Sequence, residues 1–285
     1  MSVDILQEKI RKTKNPCVLC LDAAGGCIPP QFAQQENALC AYYSALLRQL
    51  KGVIPAVRFS FGSFSLRGPD GIRMLTELLK LASELGFYVI LDAPELLSAQ
   101  AAEQAALLLG AEDCSFAWDG LVLPVYSGSD MVKPFVRLAK SGKSLFPVVR
   151  TANRSASELQ DLLSGNRLVH IAAADIISRL GEECTGKFGY SQIGILASAS
   201  AADSLRSLRT KYPKLFLLLD GMDYPNANAK NCSFAFDKLG RGAAACVGSA
   251  VTCAWKESDG EDCLTAALQA AERLKKNITR YITVL

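Results

Sequence analysis

Histidine is almost absent from this sequence. His170 is the only one in 285 residues, and it sits in LVHIAAADII, an apolar pattern of helical period where a core or helix-surface histidine is expected. No serine–histidine–acid array can be assembled around it. Long hydrophobic runs are missing too: no apolar stretch reaches the length of a membrane span, and Met1 to Lys14 is mostly polar, unlike a targeting segment. Charge of one sign is scarce. A formal net charge of +3, spread along the chain, gives no basic surface for nucleic acid or a membrane. The expectation is a soluble, cytoplasmic protein touching neither. No GxGxxG follows the first apolar run, which removes the usual support for an open dinucleotide-binding sheet. No linker, low-complexity tract or strong internal repeat interrupts the chain, so one domain over residues 1–285 is expected.

Cysteine is the exception, with ten residues. Cys17, Cys20, Cys246 and Cys253 lie inside apolar runs, where a thiol behaves as a small hydrophobe. Cys17 and Cys20 have CxxC spacing, with Cys27 beyond them. CVLCLD also reads as a strand, however, and residues three apart on a strand face opposite ways. Without a second CxxC pair or more histidine, neither a zinc nor a redox centre is expected.

What the chain does contain is half hydrophobic residues in eight short runs: Cys17–Asp22, Ala56–Phe61, Tyr88–Ala93, Gly120–Val125, Ser144–Arg150, Gln192–Ser198, Lys214–Gly221 and Ala243–Ser249. Continuous Val, Ile, Leu and Phe in such runs is the pattern of parallel strands buried on both faces. Amphipathic stretches alternate with them. Gly71–Leu85 places Ile72, Leu75, Leu78, Leu79 and Ala82 on one face and ends at Gly86; Asp130–Lys140, Ser155–Leu163, Ala172–Cys184, Ala201–Lys211 and Asp262–Arg280 behave alike. Eight β–α alternations predict an α/β protein of the (β/α)8 barrel type, with Ser2–Lys14 as a helix capping the barrel bottom. In such a barrel the chemistry belongs at the C-terminal tips of the strands. Asp92, closing the run Tyr88–Leu91, is an acid in that place.

Several stretches, in order, resemble the orotidine 5'-phosphate decarboxylase family, specifically its longer bacterial branch. They are VLCLDA, IPAVRFSFGSFSLRGPDGIRML, GFYVILDAPELLSAQ, DGLVLPVYSGSDMVKPF, FPVVRTANRSASELQDL, GKFGYSQIGILASAS, LFLLLDG and FDKLGRGAAACVGSAVTCAWK. The resemblance spans Asn15 to Lys256; TANRSASELQDL and the CAWK ending are its most specific pieces. It implies a (β/α)8 barrel, usually a homodimer, with the site at the strand ends by the subunit interface. The implied reaction converts orotidine 5'-phosphate to uridine 5'-phosphate and carbon dioxide in pyrimidine biosynthesis, with no metal or organic cofactor. Alternating acids and lysines disfavour the substrate carboxylate and stabilise the developing carbanion, while a phosphate clamp contributes remote binding energy.

The resemblance assigns each position a role. The first-strand aspartate, a ribose contact, is Asp22. The second-strand lysine is replaced by Arg58, which keeps its charge but cannot release a proton. The third-strand aspartate is Asp92. The proton-donating lysine two residues on is Pro94, and the aspartate lent to the partner subunit is Leu97. In the fifth-strand segment Thr151–Ala152–Asn153, Ala152 replaces the serine that contacts the pyrimidine. The phosphate-contacting loop after strand seven, from Gly221, reads GMDYPNANA; its glutamine falls near Pro225, and Asp220 and Asp223 add negative charge. The phosphate-binding arginine after strand eight aligns to Ser249.

Acid–base array, base contact and clamp are thus altered together, and the only lysine from Leu81 to Ala139 is Lys133. The expectation is a divergent family member, deficient in decarboxylation, that takes a nucleotide or phosphate-ester ligand if any. The alternative is an active decarboxylase, or a lyase for another ligand, with relocated groups. Structural roles are weighed beside these. Asp92 would cap the following helix, Arg58 would pair with Asp22 or Asp92 across the barrel mouth, and Arg150 would be anchored to Asn153 or Glu158. Cys20, Cys246 and Ser198 would face the interior as inert packing. Leu97 would make the dimer interface near Pro94–Ala99 more apolar.

Overall fold

The computed structural model describes residues 2–24, 26–96, 98–224, 227–258 and 262–282. Its elements begin with α1 (Ser2–Thr13), β1 (Cys17–Leu21), α2 (Ala38–Leu50), β2 (Ala56–Ser60), α3 (Phe61–Ser65) and α4 (Gly68–Glu84). Next come β3 (Tyr88–Asp92), α5 (Ala99–Leu109), β4 (Gly120–Leu123), α6 (Val136–Lys140), β5 (Ser144–Pro147) and α7 (Ser157–Gln160). A hairpin of β6 (Leu163–Ser164) and β7 (Arg167–Leu168) leads into α8 (Val169–Leu180). The last units are β8 (Ile195–Ser198), α9 (Ala202–Lys211), β9 (Leu217–Asp220), α10 (Ala229–Ser233), β10 (Ala243–Val247), α11 (Ser249–Thr252) and α12 (Cys263–Thr279).

All eight expected strands are present and pair in parallel, in the order β5-β4-β3-β2-β1-β10-β9-β8. Parallel bridges Leu145↔Ile193 and Val148↔Leu196 join the two ends, closing a (β/α)8 barrel. Successive strand residues point to opposite faces, and the core divides accordingly. Leu19, Val57, Val89, Leu121 and Leu217 face the helices. Val18, Ala56, Tyr88, Ile90, Val122, Phe146, Leu218 and Ala244 fill the interior.

The floor of the barrel is plugged by α1. Its Val3, Leu6 and Ile10, spaced to share one helical face, belong to the interior cluster and are fully buried. Polar anchors fix it there: Val3 N donates to Gln192 Oε1 at 2.8 Å, and Gly242 N donates to Gln7 Oε1 at 3.0 Å. The expected N-terminal cap is therefore present, and the opposite end is left for the site.

Some expected elements differ. The stretch Asp130–Lys140 breaks into two 3₁₀ turns before α6, because Pro134 lacks the amide a continuous helix needs. Ser155–Leu163 shrinks to a 3₁₀ turn plus one helical turn, since Gln160 bonds back to Thr151 and the chain then enters the hairpin. Cys253, expected as a packing thiol, is instead disulfide-paired with Cys27, their Cα atoms 5.0 Å apart. Among the described residues no helix is long and apolar enough to cross a membrane.

Candidate functional site

The interior positions nearest the strand C-termini follow from the alternation. Inward-facing Val18, Ala56, Ile90, Leu218 and Ala244 put Cys20, Arg58, Asp92, Asp220 and Cys246 inward at the mouth. Arg58 occupies the centre of this layer. Its Nη2 donates to Asp92 Oδ2 at 2.6 Å, its Nη1 to Asp220 Oδ1 at 2.8 Å, and Nη1 also reaches Cys246 Sγ at 3.6 Å. The Arg58 and Asp92 side chains are 12% and 10% exposed; Asp220 is 35% exposed. The expected pairing with Asp92 is there. Asp220 is the second partner, and Asp22 is not one. Asp22 is exposed, its Oδ1 accepting from Ala24 N at 2.8 Å in a local turn.

One cation between two carboxylates sets the electrostatics. Burial disfavours the Arg58 charge, but Asp92 and Asp220 together outweigh that and raise its pKa. For Asp92, burial is the larger influence; aided by the like charge of Asp220, it prevails over Arg58 and raises the carboxyl above 3.8. Asp92 Oδ1 is buried and has no hydrogen-bond partner among the described residues. The Cys20 thiol hydrogen-bonds Cys246, and that bond together with burial holds its pKa well above 9.0, so it stays a packing thiol as expected. Ser198 is buried against Ser200, their hydroxyls 2.7 Å apart.

Asp92 does not cap the following helix. Ser98 does, its Oγ accepting from Ala101 N at 3.1 Å. Pro94 stands in the turn after β3, and Leu97 lies outside the described residues. Lys133 pairs with Asp130 at 3.1 Å on the surface, with 58% of its side chain exposed. The sequence reading passes over Glu95. Its carboxyl packs on Gly62 so closely that a Cβ there would collide with Oε1. Burial, opposed by backbone hydrogen bonds and aided by Asp92, raises its pKa. An acid one residue beyond Pro94 is the signal that could have found it.

After β5, Arg150 is anchored neither to Asn153 nor to Glu158. Its Nε and Nη2 form a two-pronged pair with Asp161 at 3.1 and 2.8 Å. His170, buried on α8, joins the same network: Nδ1 lies 2.9 Å from Gln160 O and 3.2 Å from Asp161 Oδ1. The core role expected for it holds. Gln160 binds both the amide and hydroxyl of Thr151 at 2.8 Å, fixing the Thr151–Ala152–Asn153 turn. Ala152 abuts Gly221, and a Cβ on that glycine would collide with the methyl of Ala152. The φ of 81° at Gly221 is in the left-handed region that glycine enters without steric cost. A cleft of about 430 Å³ opens beside them, lined by Arg150, Ala152, Asn153, Arg154, Ser200 and Tyr224.

After β10, Ser249 N donates to Asp223 Oδ2 at 3.2 Å. A second cleft, about 360 Å³, is lined by Asp223, Ser249, Lys256 and Arg273 among others. Lys256 is engaged elsewhere, donating to Gly26 O at 2.6 Å. Pro225 lies outside the described residues. The structure thus brings Arg58, Asp92 and Asp220 together, places Ala152 and Gly221 in contact, and sets Asp22 apart. Among the described residues no three His, Cys, Asp or Glu side chains are arranged to hold a metal ion.

Comparisons with known proteins point one way. No family model matches the chain. A curated relative from Rhodopirellula baltica, named orotidine 5'-phosphate decarboxylase, is 27% identical over 261 residues, covering 85% of this chain and 86% of the relative. A namesake from Caldicellulosiruptor saccharolyticus is 23% identical over 300 residues, covering 98% of each. Among solved structures, the OMP decarboxylase of Leishmania donovani has a TM-score of 0.74 at 21% identity, covering 98% of this chain and 99% of that one. A Toxoplasma gondii chain assigned as an orotidine-monophosphate-decarboxylase has a TM-score of 0.82 at 20% identity, covering 98% and 97%. Those two likenesses establish the shared fold.

Proposed function

We propose that this chain, which belongs to the orotidine 5'-phosphate decarboxylase family, keeps the family barrel and lacks its decarboxylation. The observation that carries the reading is Arg58 tied between Asp92 and Asp220 with Pro94 two residues after Asp92. A decarboxylation that ends by protonating a carbanion needs an acid that can give up its proton. Arg58 is held more firmly charged than a free guanidinium, and Pro94 has no proton to give. Loss of a positioned proton donor alone costs roughly a hundredfold to ten-thousandfold in rate. At Ser249, a carboxylate from Asp223 stands where a phosphate clamp would need positive charge. Arg58, Asp92 and Asp220 then act as a structural ion cluster closing the barrel mouth.

A steady-state assay of carbon dioxide release from orotidine 5'-phosphate tests this. The expected kcat lies more than about a thousandfold below an ordinary value of roughly ten per second. Turnover above that limit overturns the reading and supports the rival, an active enzyme with relocated groups. The clefts of about 430 and 360 Å³ leave room for a nucleotide or phosphate-ester ligand. Such a ligand at about a hundred times its Kd stabilises the fold by about 2.7 kcal/mol in a thermal-shift screen. We place the protein in the cytoplasm, as one domain and without a cofactor, and infer a homodimer. Leu107 and Leu108 on α5 are 61% and 71% exposed. They lie in the last turn of α5, and their exposure supports an apolar interface that includes that helix. Light scattering that finds a monomer at micromolar concentration counts against it.

A further inference from the structure

Residues 22–37, linking β1 to α2, contain no strand or α-helix among their described residues. Three separate contacts bind this link to the segment after β10. Cys27 is disulfide-paired with Cys253. Trp255 Nε1 donates to Cys27 O at 3.2 Å, and Lys256 Nζ donates to Gly26 O at 2.6 Å. Farther along the link, Gln31 Nε2 reaches Asp262 Oδ1 at 3.1 Å and Cys263 Sγ at 2.9 Å. Phe32 is seated independently on Tyr42, their ring centroids 5.4 Å apart. The Gly26–Cys27 tip is therefore held from one side by Cys253, Trp255 and Lys256.

Accessibility separates this pair from most of the other cysteines. Cys17, Cys184, Cys232, Cys246 and Cys263 are buried, whereas Cys27 and Cys253 are both partly exposed. Burial pushes Cys17 and Cys232 up to about 12, which keeps them inert thiols. Cys253 also lines the cleft of about 360 Å³ together with Met222, Asp223, Ser249 and Lys256. A change in its bonding thus acts on a wall of that cleft.

We propose that Cys27 and Cys253 form a redox modification site: a thiol–disulfide clasp that fastens the β1–α2 link against the segment after β10 and sets the shape of the adjoining cleft. The co-reactant is a small disulfide of the glutathione class. The Cys27 thiolate attacks one sulfur of the small disulfide, giving a mixed disulfide and releasing one small thiolate. The Cys253 thiolate then attacks Cys27 Sγ, releasing the second. The protein loses two electrons and two thiol protons, and one small disulfide becomes two small thiols. In a reducing compartment the clasp rests open and fastens when the small-thiol pool is oxidised.

The test uses the full chain equilibrated with oxidised or reduced glutathione. Alkylation and peptide mapping should find one Cys27–Cys253 disulfide after oxidation and ten free thiols after reduction. The second readout is acrylamide quenching of tryptophan emission. Of the two tryptophans, Trp118 is 4% exposed, so quenching reports Trp255. It should rise at least twofold on reduction. Cys27→Ser and Cys253→Ser should show the reduced value in both buffers. Ten free thiols after oxidation overturn the proposal, and so does wild-type quenching that ignores the redox state while the disulfide forms and breaks.

Discussion

Arg58 and Asp92 make a hydrogen-bonded ion pair of 2.6 Å inside the barrel mouth, with only 12% and 10% of their side chains exposed. The pair joins adjacent strands, since Arg58 and Asp92 sit on neighbours β2 and β3. Asp220 on β9 completes it from across the mouth. An arginine here does structural work that a lysine would do less well. Its planar fork reaches two carboxylates at once, where an ammonium is a single point charge.

Arg58→Met is the direct probe of that role. It leaves Asp92 and Asp220 facing one another without a counterion, in a site that excludes most water. Removing one partner of a buried pair costs about 3–5 kcal/mol. Denaturant unfolding at neutral pH should show a loss of that size, and Arg58→Lys should lose less. A loss below about 1 kcal/mol, the range of exposed pairs, would mean the cluster is solvated and not structural.

The same cluster gives the protein a pH signature. Asp92 holds its proton more tightly in the folded chain than its ordinary value of 3.8 allows, because burial outweighs Arg58. A carboxyl whose folded pKa is raised contributes most to stability below the unfolded value, and that contribution is lost as pH rises through the folded value. Wild-type stability should therefore carry a downward slope with rising pH, starting at about pH 4. Asp92→Asn, which cannot titrate, should lack that component. Unfolding free energies of both proteins from acid to neutral pH check it; a wild-type-minus-variant difference that is constant across the range refutes it.

How much of this can be read from the residues varies with the range of the interaction. The strands are legible because Val, Ile and Leu runs such as Tyr88–Leu91 must be buried on both faces. The inward placement of Cys20 and Cys246 follows from period-two alternation. Helix α2 is marked as well: Leu39, Tyr42, Tyr43, Leu46, Leu47 and Leu50 recur at helical spacing after Asn37 and form its buried face, although Asn37 itself is left-handed with a φ of 57° and makes no side-chain cap. Partners chosen across the barrel are hidden. Arg58 and Asp220 are 162 residues apart, and Cys27 and Cys253 are 226 apart. By sequence distance Arg150 belongs with Asn153 or Glu158. It takes Asp161 instead because the chain makes only one helical turn, Ser157–Gln160, before bending back into the hairpin.

That anchor is testable on its own. Asp161 accepts both prongs of Arg150 and lies 3.2 Å from the buried His170 ring. Asp161→Ala leaves a guanidinium that is 10% exposed without its carboxylate. Asp161 is itself 33% exposed, so the expected cost sits at the lower end of the buried-pair range, about 3 kcal/mol. Because Gln160 fixes Thr151 next to it, the variant should also loosen the Thr151–Asn153 turn. Hydrogen exchange at the Thr151 amide, bonded to Gln160 Oε1 at 2.8 Å, should quicken more than exchange at the β1 amides. Equal protection in both places would separate Arg150 from the turn.

The last relationship concerns Asp223 and Ser249. The Asp223 carboxylate accepts from the Ser249 amide at 3.2 Å and lies 3.0 Å from where a Cβ on Gly248 would stand. An anion cannot share that amide without meeting a fixed negative charge. Asp223→Ala removes the charge and frees the donor, while Lys256 and Arg273 still line the same cleft. The variant should bind inorganic phosphate at least tenfold more tightly than the wild type, a change of about 1.4 kcal/mol. Calorimetric or thermal-shift titration of both proteins at low salt reads this directly. Asp223→Asn, which removes the charge but keeps an acceptor for the Ser249 amide, should fall between them. Equal affinities in all three proteins would show that Asp223 does not guard this end of the barrel.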